Sequence, residues 1–423
     1  MSRNTQISSN EIWQKKERNY KRNFMSLMME AFLFAFALAM FSPENVLPVY
    51  VDSLSEKAIF LALISAIYYG LSYGCTVFSC VLGVNAKSPK WISVVICFLQ
   101  RIGFFAIFMS TFLAEKNVEL ALVVFFISFA IYSASAGMSS PLFAQMVGTS
   151  IHRNVGTFYG AYSMVGSASG VLASLILTQC LSRMAFPISF RTVFMLGLFT
   201  ALLATGVVSF GVREVTDDRI VEHIRLRDIL PISRQILREN RDFRHFALIK
   251  VLVGAAEFAI PYYIIVASGL EGTPAGFVGT MTTVYLISKV VSSLILGRIA
   301  DRFNAIVVLR CACICGALAA LLAIIVKDYR FSYIMYICLA VAVNGVVMSN
   351  NVACVSYSKN VRTPIYAAAT GLMCAPLYVI SSFVGAAIVS RYSYSAVFKI
   401  AMAVYTVSAL LTFLLTQQKK SDC

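Results

Sequence analysis

The sequence predicts an all-α polytopic membrane protein whose twelve transmembrane helices form two six-helix bundles. Three observations carry that prediction. Hydrophobic residues make up 59% of the 423-residue chain and charged residues 13%, with a mean hydropathy of +0.78, whereas a soluble domain carries about 25% charge. Apolar runs near twenty residues, the length that crosses a hydrocarbon core, recur along the whole chain. The longest polar interruption divides those runs six and six. The alternating ten-residue segments of a membrane β-barrel are absent.

In chain order, a polar tail spans 1–26 and lacks a cleavable signal pattern, so the first span is expected to stay as an anchor. The N-terminal bundle occupies 27–212, with spans at 27–51, 58–82, 91–113, 119–147, 155–180 and 188–212. A central loop at 213–244 carries Ile220 and Ile224, then Ile229, Ile232 and Ile236, at helical spacing. That pattern fits short helices along the membrane surface or a solvated linker. The C-terminal bundle fills 245–416, with spans at 245–268, 275–297, 306–326, 331–356, 363–389 and 395–416, and 417–423 form a short tail.

The net charge of +15 is a matter of topology. With the N-terminus inside, and with Arg191, Arg310 and Lys399 near span ends counted with the adjoining side, 24 of the 35 Lys and Arg fall on that side and 8 on the other, leaving Arg101, Lys250 and Lys289 within spans. By the positive-inside rule both termini are expected in the cytoplasm, the chain sitting in the cell (plasma or inner) membrane. No nucleic-acid partner is implied; the expected partners are the lipid bilayer and a small-molecule substrate, with the chain a monomer. The eleven cysteines lie almost all in spans, as small apolar residues. Cys311, Cys313 and Cys315 point in different directions on one helix, with no His nearby, so no metal is expected. No phosphate-cradling Gly-x-x-x-x-Gly-Lys-Ser/Thr occurs. His152, His223 and His245 lie at the inner edge with no nucleophile arrangement, so catalysis is not expected. No cofactor is called for; a proton gradient is the expected energy source.

Three internal repeats pair the halves. LGVNAKSPK (82–90) aligns with LGRIADRFN (296–304), ENVLPVY at the end of helix 1 with EFAIPYY in helix 7, and RNVGTFY before helix 5 with KNVRTPIY before helix 11. A duplicated six-helix unit keeps both halves in one orientation, related by an axis along the membrane normal, as in transporters that rock around a central site.

On GRIADRF (297–303) and the twelve-span plan, the chain resembles the major facilitator superfamily, whose loop signature is Gly-x-x-x-Asp-Arg followed by an aromatic residue or glycine. ERNYKRNF (17–24) with SPENVLP (42–48) is similar to a bacterial subgroup whose members mostly have no assigned substrate. The resemblance implies a cavity lined by helices 1, 4, 7 and 10, a moving interface of helices 2, 5, 8 and 11, and supporting helices 3, 6, 9 and 12. It makes Gly297, Asp301 and Arg302 a cytoplasmic latch, with Asp301 meeting the start of helix 5. The first copy of the signature has Lys87 where the acid belongs, so the latch is expected on one side only. GSASG (166–170) lacks the proline of drug antiporters, and the sugar-porter signatures are missing. The small residues of GSASG and of GLSYG (70–74) suit helices that approach closely and slide.

Charges inside a bilayer need partners or a wet cavity. Glu257 and Glu44 each precede a proline by four residues, where the helix loses a hydrogen bond and bends. Glu257 is the expected proton-coupling site; Glu44 is either a second cavity carboxylate or a group solvating the helix end. Lys289 lies at a similar depth to Glu257 and is expected to pair with it. Glu30 and Arg101 are expected to form a structural ion pair, because helix 3 is peripheral. Gln145, Asn344 and Asn351 either face the cavity or bridge helices, and Tyr263 is a candidate ligand. The leading function is a proton-coupled secondary transporter of a small organic solute, with export favoured because the cavity carries few charges. The alternatives are an uptake permease for a polar metabolite and a non-transporting sensor or lipid-handling protein.

Overall fold

The computed structural model describes residues 9–84, 88–151, 155–215, 225–358 and 363–421. All regular structure among them is helical. Twelve helical stretches are long and apolar enough to cross a membrane.

In the N-terminal half, α1 (Ser9–Met40) and α2 (Val46–Leu54) make helix 1, and α3 (Ala58–Gly74) and α4 (Thr76–Val84) make helix 2. Then follow α5 (Pro89–Leu113), α6 (Val118–Ser150), α7 (Val155–Arg183) and α8 (Ile188–Gly211). After the linker helix α9 (Leu226–Glu239), α10 (Arg241–Gly254) and α11 (Ile260–Ser268) make helix 7. The remainder is α12 (Phe277–Arg302), α13 (Ala305–Ile325), α14 (Ser332–Ser358), α15 (Thr363–Arg391) and α16 (Tyr394–Ser421).

The tail expected at 1–26 is helical from Ser9 onward. Its composition does not explain this; tertiary bonds do. Arg22 donates to the carbonyls of Gly211 at 2.9 Å and Phe210 at 2.7 Å, and Asn23 donates to those of Ser150 and Arg213. In the central loop, α9 buries Ile229 and Ile236 against Val77 and Cys80 of helix 2 and Ile365, Ala368 and Ala369 of helix 11. It straddles both bundles; its side of the molecule is called the linker face below. Ile220 and Ile224 lie outside the described residues.

Within each half the helices pack on their own neighbours, α1 on α7 and α8, α5 on α6 and α8, α13 on α14 and α16. The most extensive contacts between the halves are α3 with α15, and α7 with α12. Glycine permits both crossings. A Cβ on Gly371 would lie 2.5 Å from the Tyr73 carbonyl, and one on Gly279 would lie 2.5 Å from the Thr178 backbone nitrogen. GLSYG faces this interface, its Gly70 and Gly74 resting on Val379 and Ala375. GSASG does so only through Gly170, against Leu286; Gly166 and Ser169 pack on α1 instead.

At the face opposite the linker, α2 packs on α11. Down the α7–α12 seam the contacts run from Gly276 and Gly279 at Thr178, through a 2.6 Å Ser174–Thr283 hydroxyl bond, to Gly170 at Leu286. Closer to the linker face, Ser163 and Met164 on α7 and Ser293 and Leu294 on α12 are exposed. The halves therefore meet at the far face and part towards the linker face along this seam.

Candidate functional site

Both repeat glutamates sit where their helix is broken. In helix 1 the chain leaves the helix at 41–45, around Pro43 and the Ser42 before it, a residue that proline biases away from helical geometry. Ser42 restarts the helix: its hydroxyl accepts from the Asn45 N–H at 3.2 Å and its carbonyl from Val46 and Leu47 at 3.0 Å. Pro48 then falls in the first turn of α2, where its missing N–H costs nothing. In helix 7, Pro261 has no N–H to offer the Glu257 carbonyl. That carbonyl accepts from Ile260 instead, within a short 3-10 turn at Glu257–Ala259.

Glu257 is 2% exposed and Lys250, one α10 segment earlier, is fully buried. They are joined through two rings rather than directly. The Tyr378 hydroxyl of α15 donates to the Glu257 carboxylate. Tyr73 of α3 stacks on Tyr378 with centroids 5.1 Å apart and an interplanar angle of 7°. Lys250 Nζ donates to the Tyr73 hydroxyl at 3.1 Å and lies 4.7 Å from its ring centroid. Tyr69 also stacks on Tyr378, with centroids 4.9 Å apart. The network joins helix 2 of one bundle to helices 7 and 11 of the other.

Glu44 is half-buried and accepts from the Ser42 hydroxyl at 3.1 Å. Tyr69 of α3 and Tyr285 of α12 lie within electrostatic range of both Glu44 and Glu257. The hydroxyls of Tyr69 and Tyr285, with those of Tyr263 and Tyr336, are buried and have no hydrogen-bond partner among the described residues. Both amide atoms of Asn45, beside Glu44, are likewise buried without a partner among the described residues. Buried polar atoms left unpaired cost about 1–3 kcal/mol each, and in a native site they mark where water or a ligand binds. Chemically, the arrangement offers donors and acceptors to a small polar molecule, with two carboxylates and two ammonium groups around it.

Several sequence-based placements change. Lys289 does not pair with Glu257; its ammonium lies 5.2 Å from the Tyr285 centroid. Equal depth on neighbouring helices fixes height but not the direction a side chain faces. Glu30 and Arg101 are both buried neighbours without a direct ion pair: Tyr162 donates to Glu30 at 2.8 Å, while Arg101 donates to the Ala201 carbonyl at 3.1 Å and to Gln100. Gln145 donates to the Gly83 carbonyl at 2.8 Å, bridging helices 4 and 2. Asn344 donates to Ser292 at 3.0 Å and Ser293 at 2.9 Å, bridging helices 10 and 8. Asn351 is exposed, and Tyr263 is buried against Phe398. Gly297 approaches Met348, and the Arg302 guanidinium lies over Phe303. The Asp301 side chain and His152 and Arg153 lie outside the described residues, as does the latch contact between them. Among the described residues no cluster of metal-ligating side chains occurs.

Comparison with known proteins agrees with this architecture. Residues 176–376, from the end of α7 into α15, match the family model described as Major Facilitator Superfamily. No curated protein sequence matches the chain. Among solved structures, the POT family transporter PepTSo superposes with a TM-score of 0.72 at 11% identity, covering 96% of this chain and 99% of that one. The nucleoside transporter NupG gives 0.70 at 13% identity, over 92% and 99%. The E. coli fucose:proton symporter FucP gives 0.60 at 13% identity, over 94% and 99%. Identities this low carry the fold alone. That fold along the whole chain, and the family match across the junction of its halves, make this chain similar to transporters of the major facilitator superfamily.

Proposed function

We propose that the protein is a secondary active transporter of a small polar organic solute, working by alternating access and coupled to protons through Glu257. One observation carries the reading. Tyr69 and Tyr285, from opposite bundles, bring unpartnered buried hydroxyls within electrostatic range of both Glu44 and Glu257, the carboxylates at the two helix breaks. Broken helices at a repeat interface are where transporters of this architecture hold substrate and ions.

The network supplies a means of coupling. Tyr73 is held to the C-terminal bundle through Lys250 and Tyr378, and Glu257 anchors Tyr378. A proton on Glu257 removes the charge that faces Lys250 and weakens the hydrogen bond from Tyr378, loosening the tie between bundles. Solute binding near the same hydroxyls competes for the same groups. With Lys250 linked to Glu257 through Tyr73 and Tyr378, the site carries more fixed charge than the sequence alone assigned to it. That favours a polar metabolite and uptake over the export of a less polar cargo. Transporters for nucleosides and a fucose:proton symporter share the fold, so nucleosides and monosaccharides head the solutes to test. The basic linker face supports a cytoplasmic placement of the chain ends.

The test is reconstitution. A thermal-shift screen of nucleosides, short peptides and monosaccharides identifies a solute, and its accumulation in vesicles is followed under an imposed pH gradient. Glu257→Gln should lower gradient-driven accumulation by about 5–150-fold, the span of ordinary coupling energies, while downhill exchange persists. Accumulation in the variant equal to wild type would refute the coupling role. The gradient polarity that drives flux gives the direction.

A further inference from the structure

We propose that the linker face of the N-terminal bundle holds a site for an anionic phospholipid, its phosphate in a basic cleft and its acyl chain along α5. The cleft is a cavity of about 590 Å³ between the N-terminal extension of α1, the start of α5 and the segment after α8. Its walls include Lys15, Arg18, Lys90, Trp91, Arg213 and Glu214.

Two of these charges are already engaged. The Glu214 carboxylate accepts from the Ser88 hydroxyl at 2.7 Å, the Lys90 backbone N–H at 3.2 Å and the Thr149 hydroxyl at 2.7 Å. The Lys90 ammonium donates to the carbonyls of Ser209 and Val212, both at 2.7 Å. Together they fix the floor of the cleft. The exposed side chains of Lys15, Arg18 and Arg213 are left as its cationic rim, and among the described residues none of the three forms an ion pair. A phosphate is the anion class that several such groups hold by charge and hydrogen bonding together.

A second feature distinguishes a lipid from a soluble phosphate. Trp91 lines the cleft and also heads a row on α5 comprising Val95, Phe98, Ile102 and Phe105. Their spacings of four, three, four and three residues place them on one helical face. All five are at least half exposed, from 50% at Phe98 and Phe105 to 63% at Val95. On a membrane-spanning helix that face borders the acyl chains. The row leads from the cleft into the bilayer, and a tryptophan at the headgroup level is the usual interfacial anchor. A soluble anion would use the cations alone; a phospholipid uses the cations and the row.

The experiment uses the full chain in detergent, with lipid retention read by native mass spectrometry and stability by thermal shift. The probes are phosphatidylglycerol, phosphatidylcholine and glycerol 3-phosphate. Phosphatidylglycerol should be retained and stabilise the protein, clearly more than the other two. Each basic group near an anionic headgroup contributes about a fivefold effect, so Lys15→Gln with Arg18→Gln should weaken phosphatidylglycerol binding about 25-fold. Trp91→Ala should also weaken it. Lys327→Gln with Arg330→Gln, on the opposite face, should leave it unchanged. Equal retention of phosphatidylglycerol and phosphatidylcholine by the wild type, or wild-type binding in the Lys15/Arg18 variant, would overturn the proposal. Stabilisation by glycerol 3-phosphate equal to that by the lipid would overturn the lipid assignment and leave a soluble-anion site. The first of these arms needs no variant to fold.

Discussion

Lys250 and Glu257 are seven residues apart on helix 7, both buried, and separated by the stacked rings of Tyr73 and Tyr378. Removing one member of a buried charge pair typically costs about 3–5 kcal/mol, because the other charge is left uncompensated. Lys250→Met should therefore lower the melting temperature of the purified protein, and adding Glu257→Gln should recover much of the loss. Strictly additive effects in this double-mutant cycle would show that the two groups do not interact. The glutamate was legible in the sequence, because its four-residue spacing to Pro261 states that the helix breaks there. Its cation was not. A lone lysine in an apolar run reads equally well as one that snorkels to the interface, and the intervening Tyr378 lies 121 residues further along the chain. Nothing local to either residue announces the pairing. Asn45, with both amide atoms buried and unpaired, was missed for the same reason, since its neighbour Glu44 carries the stronger signal.

At the scale of elements, the period of hydrophobicity specified the count and order of the spanning helices, while bonds between distant segments decided their ends and interruptions. The extension of α1 back to Ser9 rests on Arg22 and Asn23 reaching the end of helix 6, contacts that no periodicity encodes. The seam between α7 and α12 depends on absent side chains, most closely at Gly279. A Cβ on Gly279 would fall 2.5 Å from the Thr178 nitrogen, whereas one on Gly206 would meet nothing within 4 Å. Overpacking of this kind costs about 1–3 kcal/mol. Gly279→Val should thus lower thermal stability by that amount and slow transport by forcing the bundles apart where they now meet; Gly206→Val should do neither. Equal stabilities and fluxes in the two variants would mean that the seam tolerates separation. The small-residue segments were correctly read as close-approach sequences, but GLSYG meets the other bundle through Gly70, Tyr73 and Gly74 while its Ser72 packs on α6. Small side chains announce a close neighbour without saying which helix it is.

For the whole molecule, the proposed transport cycle requires the far-face closure to be reversible, and the closure contains a titratable group. Asp52 of α2 lines a cavity of about 550 Å³ with Ile265 and Ser268 of helix 7, Leu270 just after it, and Tyr394 of helix 12. Burial, and secondarily the nearby Glu56, push its carboxyl above the ordinary value of 3.8. Tyr394, the titratable group packed across from it, lies within range of both acids and supplies no cation. The sign follows from linkage. The closed form disfavours the charged carboxylate relative to an open form in which Asp52 meets water. Protonation therefore stabilises closure, and that contribution is lost as pH rises through the elevated value. Acidification on the far side should close this face, and alkalisation should release it. Labelling of Val49→Cys by a water-soluble maleimide, localised by peptide mass spectrometry so that native cysteines do not interfere, should rise with pH above 4. In Asp52→Asn, which is neutral throughout, labelling should stay low and lose its pH dependence, apart from the maleimide's own rate change measured on a model thiol. A corrected profile identical to wild type would assign the titration to another group and leave Asp52 a bystander at the gate.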